Sequence, residues 1–259
     1  MKAILYKKPK GVTIVQGFPG MGLVSTITTK FLIDHMDFEQ IGHIESGRIP
    51  PLTAIHKGRI LHPITVFYND KKKLVLVQSI AEVVNMEWAL AETLTKLAKD
   101  LQAKEIIMIE GMPSQQKGTK VYTYSTKKPK NKKFAELNEG VIMGLTAALL
   151  LKSDPKIPIT CFFAEAHQNL PDSHAAAQVV NALNAHLGLT VNYKPLLKAA
   201  QAFEEKVKAY TAKMQALQQL QGNNEEEMPL EPMKIAQAPK KAKNKREKLE
   251  EDEEMDYIG

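Results

Sequence analysis

Val12-Thr13-Ile14-Val15-Gln16-Gly17-Phe18-Pro19-Gly20-Met21-Gly22-Leu23 is the stretch on which the fold turns. Its opening β-branched run suits an extended strand, and the run stops at a glycine-rich segment. Beyond that segment Leu23, Ile27, Phe31 and Leu32 recur at helical spacing. A strand, a glycine turn and a helix in that order open an α/β layer. The same place is where backbone N–H groups and a helix dipole can hold an anion. Gly17, Gly20, Met21 and Gly22 are therefore candidate ligand-binding residues. Their spacing matches neither the G-x-G-x-x-G of dinucleotide sites nor a Walker sequence, since no Gly-Lys-Ser/Thr follows. The plainer reading is that glycine permits a tight turn and close helix packing.

Working outward, Phe38 to Ile44 reads as a strand. Ile64 to Tyr68 and Leu74 to Gln78 form a hairpin with a polar tip at Asn69-Asp70-Lys71-Lys72-Lys73. A helix opening near Asn85 places Trp88, Ala91, Leu94, Leu97, Ala98 and Leu101 on one apolar face, and the buried strand Ile106 to Ile109 follows. The strand Ile159 to Ala164 precedes a helix capped by Asp172 or Ser173 and stopped at Gly188. Such alternation predicts an α/β layered domain over residues 1–194.

From Pro195, the residues Leu196, Ala200, Phe203, Val207, Tyr210, Met214 and Leu217 follow one another in steps of four and three. That heptad spacing predicts a long helix over 195–221, about 40 Å at 1.5 Å per residue. Phe203 and Val207 are its candidate protein-interaction residues. Whether the stripe meets another subunit or packs on its own sheet is open at this stage. Residues 222–259 turn to clustered Glu, Lys and Pro, too little apolar material to offset ordering entropy, and read as a flexible charged tail. Tyr257, Ile258 and Gly259 end it, either as a docking peptide or as an indifferent terminus.

Charge divides along the chain. Residues 225–259 hold 7 Lys/Arg and 11 Asp/Glu, which leaves 28 basic and 18 acidic residues, a net +10, in the body. A basic body attracts acidic surfaces or nucleic acid, and without a recognition motif nucleic acid is the weaker expectation. Seven lysines between Lys117 and Lys133 flank Val121-Tyr122-Thr123-Tyr124-Ser125, a strand whose basic border would discourage edge pairing. The single Cys161 lies in an apolar run, so no intrachain disulfide and no cysteine metal cluster can form. A reducing cytoplasmic setting is expected, with neither signal peptide nor membrane span.

Catalytic templates are wanting. The seven histidines show no metal-ligand spacing on one helix, and no serine sits in a G-x-S-x-G elbow. Glu165 and His167, just after a strand, are the best acid/base pair on offer.

Three segments together bring a family into view: Gly17 to Ser25, Glu45-Ser46-Gly47-Arg48-Ile49-Pro50-Pro51, and Pro171-Asp172-Ser173-His174-Ala175-Ala176 with Gly188-Leu189. They resemble archaeal members of the proteasome assembly chaperone 2 family over about residues 10–220. The resemblance implies a sandwich like that of nucleoside phosphorylases and hydrolases, no enzymatic activity and no cofactor. It also implies homo-oligomers that bind proteasome α subunits or a related protein complex. Relatives carry a hydrophobic residue and a tyrosine just before the last position, whereas here Asp256 precedes Tyr257, which stands third from the end. The alternative function is a small-molecule, nucleoside or nucleotide binding protein or enzyme using the glycine turn.

Overall fold

The computed structural model describes residues 1–56, 58–113, 120–127, 133–152, 154–168, 170–202 and 205. All lie within the unit Met1–Ala209. In chain order the elements are β1 (Lys2–Leu5), β2 (Thr13–Gly17), a 3-10 turn (Met21–Leu23), α1 (Val24–His35) and β3 (Glu39–Glu45). A hairpin of β4 (Ala54–His56) and β5 (Arg59–Leu61) precedes β6 (Ile64–Asn69), β7 (Leu74–Ser79) and α2 (Glu87–Asp100). The rest are β8 (Glu105–Pro113), β9 (Val121–Ser125), β10 (Ala135–Glu136), α3 (Gly144–Lys152), β11 (Ile159–Ala166) and α4 (Ser173–Leu187).

Among the described residues nine strands join in one mixed sheet of order β1-β3-β6-β7-β2-β8-β11-β9-β10. Parallel pairing runs from β7 through β2 and β8 to β11. The strands at its heart are apolar on both faces because both are covered. Period-two alternation sorts their side chains: Ile14, Val75, Val77, Ile106, Met108 and Cys161 face one core. Val15, Leu74, Leu76, Ile107, Ile109 and Phe162 face the other. Helices α2 and α3 cover the first face, while α1 and α4 cover the second. Three layers result.

The β6–β7 hairpin forms with Asn69 paired to Leu74. Asp172 caps α4 by accepting from Ala175 N–H at 2.8 Å, and Gly188 closes it in the left-handed conformation at φ 62°. Two expectations need correction. In α2, the residues Ala91, Leu94, Leu97, Ala98 and Leu101 are buried, but Trp88 is 53% exposed. It stands one turn before Glu92 on the solvent ridge, too far around the helix to share the buried face. Strand β9 is no edge either; it lies between β11 and β10, and the edge is two-residue β10.

Residues 194–202 are helical. Leu196 and Ala200, the first two heptad positions, are buried, Leu196 in the α1/α4 core. Those positions pack within the chain. Phe203, Val207, Tyr257, Ile258 and Gly259, and all of the expected long helix and tail beyond Ala202 except Glu205, lie outside the described residues.

Candidate functional site

Strand β2 leads into α1, which covers one face, whereas the connection from its neighbour β8 to β11 passes through β9 and β10 and carries α3, which covers the other. A crevice beyond the carboxyl ends of two such strands is where open α/β sheets hold ligands. The glycine segment occupies that crevice. Its backbone is fixed from all sides: Gln16 Nε2 donates to the Ile109 carbonyl at 3.0 Å, and Phe18 N–H donates to Gln16 Oε1 at 3.0 Å. Ser25 Oγ donates to the Phe18 carbonyl at 2.7 Å, and Asp172 N–H to the Gly22 carbonyl at 2.8 Å.

Close packing explains most of the glycines. A Cβ on Gly17 would stand 2.1 Å from Thr29 Oγ1. One on Gly22, at φ +63°, would stand 2.9 Å from the Ala166 Cβ. Gly111 on β8 lies against the turn from the other side, where a Cβ would meet the Met21 carbonyl oxygen at 2.2 Å. Gly20 differs. Its backbone is extended, and a Cβ there would meet Glu110 Oε2 at 3.4 Å, an ordinary contact.

Glu110 gives this crevice its chemistry. It is partly buried on the α2/α3 face of β8 and accepts a hydrogen bond from Thr146 Oγ1 of α3. Burial pushes its carboxyl up to about 7, against the pull of the Thr146 hydroxyl. Buried Asp172 accepts from His167 N–H at 3.1 Å and contacts His167 Nδ1 at 2.7 Å. The turn is thus flanked by two acids, Glu110 at Gly20 and Asp172 at Gly22. An incoming phosphate would meet carboxyl groups, with Glu110 largely ionised only above about 7, where a nucleotide fold offers a lysine.

Glu165 and His167, the best acid/base pair the sequence offers, each have another partner. His167 is held by Asp172, while Glu165 accepts from Lys120 N–H at 3.1 Å and from the Tyr122 hydroxyl at 3.3 Å. Burial pushes the Cys161 thiol far above its ordinary range, so it is inert as a nucleophile. Glu105, His186 and Thr160 form a second buried polar cluster. Glu105 opens β8, so this cluster lies at the sheet end opposite the turn. Among the described residues no group of three His, Cys, Asp or Glu could hold a metal, and no helix is long and apolar enough to cross a membrane. The sequence did carry a signal for Glu110: a lone acid ends the apolar run Ile106 to Ile109 and stands directly before a glycine.

The model of the PAC2 family matches residues 14–211. The chain belongs to the PAC2 family. An uncharacterized protein of Methanocaldococcus jannaschii is 30% identical to it over 200 residues, spanning 75% of this chain and 83% of that one. Pyrococcus furiosus PbaA, described as an archaeal homolog of proteasome-assembly chaperone, superposes with a TM-score of 0.75 at 25% identity. The match covers 89% of this PAC2 chain and all of PbaA. Pyrococcus furiosus PbaB, described as an archaeal proteasome activator, shares the fold at TM-score 0.68 and 18% identity, over 81% of this chain and 98% of its own. The glycine turn of this chain is a packed junction between layers.

Proposed function

We propose that this PAC2 protein is a proteasome-assembly-chaperone-like scaffold that works by protein contact in the cytoplasm and is not an enzyme. It acts as a homo-oligomer and binds proteasome α subunits or a related complex. The observation that carries this reading is the closed switch-point turn. Where an enzyme of this architecture would keep convergent polar groups around an open concavity, here glycines are packed against side chains and two acids fill the flank. The 25% identity to PbaA across nearly the whole chain supports the same class of role.

The tail offers a second contact in this reading, centred on Tyr257 and Ile258. A random coil of the length of residues 222–259 reaches roughly 35 Å, so a docked body would present those side chains at a raised local concentration. Calorimetry tests the proposal with two titrants in parallel. Purified archaeal proteasome α subunits should give saturable heat, and ATP, adenosine and guanosine none. Micromolar nucleoside binding that Gly20→Val abolishes, with no heat from α subunits, would replace the scaffold by the small-molecule alternative.

A further inference from the structure

Hairpin β4–β5 stands outside the nine-stranded sheet and turns two isoleucines away from the core. Ala54 and Leu61 pair across it and pack on the α1/α4 core. Ile55 and Ile60 pair on the opposite face, 78% and 67% exposed. A two-stranded ribbon has little stability of its own, and its free face gains nothing from isoleucine unless something covers it. Directly after Leu61, His62 stacks on His43 with ring centroids 3.7 Å apart, and the Tyr6 hydroxyl stands 3.0 Å from His43 Nδ1. The surface therefore runs on to Tyr6, which is 66% exposed.

The charge here is one-sided. Residues 46–69 hold Arg48, Lys57 and Arg59 and no Asp or Glu. The acids on the neighbouring elements are matched within the chain: Asp34 pairs with Lys30, Glu39 pairs with Lys7, and Glu45 stands opposite Lys2 in the β1–β3 register. Exposed Lys8 and Arg59 form no ion pair among the described residues. We propose that Ile55, Ile60 and Tyr6, together with Lys8 and Arg59, form the surface that holds the partner protein, and that the partner meets it with acidic residues around an apolar cleft. A second copy brought face to face repeats the same unmatched cations on a body of net +10 and is repelled. Nucleic acid would satisfy the cations through its phosphates and leave the isoleucine pair uncovered. A bilayer takes up apolar side chains that reach past the headgroups, whereas this ribbon lies against the core through Ala54 and Leu61. An acidic protein surface with an apolar cleft answers both features at once.

This inference names the face and the chemistry of the contact proposed above, and rests on that reading. The test is binding kinetics of the full-length protein with purified archaeal proteasome α subunits over a series of NaCl concentrations. Ile55→Ser with Ile60→Ser should raise Kd about thirtyfold or more, mainly through faster dissociation. Lys8→Glu with Arg59→Glu should slow association about tenfold, and that deficit should shrink as salt is raised. All four side chains are exposed, so both variants should keep the wild-type thermal melt. Unchanged kinetics in both variants would overturn this surface while the protein-contact reading stands. A variant that sediments as a smaller species yet binds α subunits normally would make the face a seam between copies and overturn the proposal. So would loss of binding to phosphatidylglycerol vesicles with α-subunit binding intact. A wild type that binds no α subunit would overturn both readings.

Discussion

Replacing Glu110 by glutamine makes the protein more stable at pH 8 and leaves it unchanged near pH 4. The sign follows from the carboxyl's elevated affinity for its proton. In the unfolded chain it ionises near the ordinary 4.5, but in the fold it keeps its proton to about 7. Below 4.5 both states are protonated and the residue costs nothing. As pH rises through the window from 4.5 to about 7, the unfolded state gains by ionising first, and stability is lost. Above that window the loss is complete. At about 1.4 kcal/mol for each tenfold change in proton affinity, the span corresponds to ~3 kcal/mol. The side chain is only partly buried, so solvent screening reduces this to about 2 kcal/mol. Glutamine retains an oxygen for the Thr146 hydroxyl and has no charge to desolvate. Urea unfolding of wild type and Glu110→Gln at one fixed protein concentration, at pH 4, 6 and 8, gives the comparison. The midpoints should coincide at pH 4 and separate progressively above it. A difference independent of pH, or a variant less stable at pH 8, would refute the assignment of a buried, neutral-range carboxyl to this crevice.

The other glycine-turn residues separate cleanly by substitution. Gly22→Val, which meets both a left-handed backbone and the Ala166 Cβ at 2.9 Å, should cost about 3 kcal/mol in chemical unfolding. Gly20→Ala should stay within about 1 kcal/mol, and equal losses in the two would contradict the packing described. Asp172→Ala removes the α4 cap and the partner of His167, so unfolding midpoints should report a loss of about 1–3 kcal/mol; a neutral result would mean the cap is replaced by water. Burial first, and then His62 stacked at 3.7 Å, hold His43 below its ordinary 6.5. Stability present above 6.5 is therefore lost as pH falls toward the lower folded value, and His43→Phe should flatten that limb of the pH profile in thermal melts. An unaltered limb would assign the acid sensitivity to other groups.

Most of the layered core was readable in the sequence because its signals are local. The polar tip between Tyr68 and Leu74 fixes a hairpin, and Asp172 and Gly188 bracket α4 by cap chemistry that needs no tertiary partner. Helix α3 carries no such local signal. A segment apolar on every side has no period, and Leu149-Leu150-Leu151 reads equally as strand or helix. The β4–β5 hairpin was hidden by its brevity, three residues on each side. At the crevice, the glycines and Asp172 were legible as turn and cap. Glu110 takes its character from Thr146 and from burial under α3, contacts 36 residues apart in the chain that no local pattern announces. For Trp88, sequence pattern groups an aromatic residue with the buried face beside it, although helical geometry sets it on the ridge with Glu92.

Purification of the full-length protein from its native host, followed by quantification of everything that stays bound, tests the protein-contact role most directly. Proteasome α subunits should be recovered in fixed proportion to the chain, at lower yield when residues 222–259 are deleted. Recovery of the protein without α subunits or any related complex, together with a retained nucleoside or nucleotide, would contradict the account.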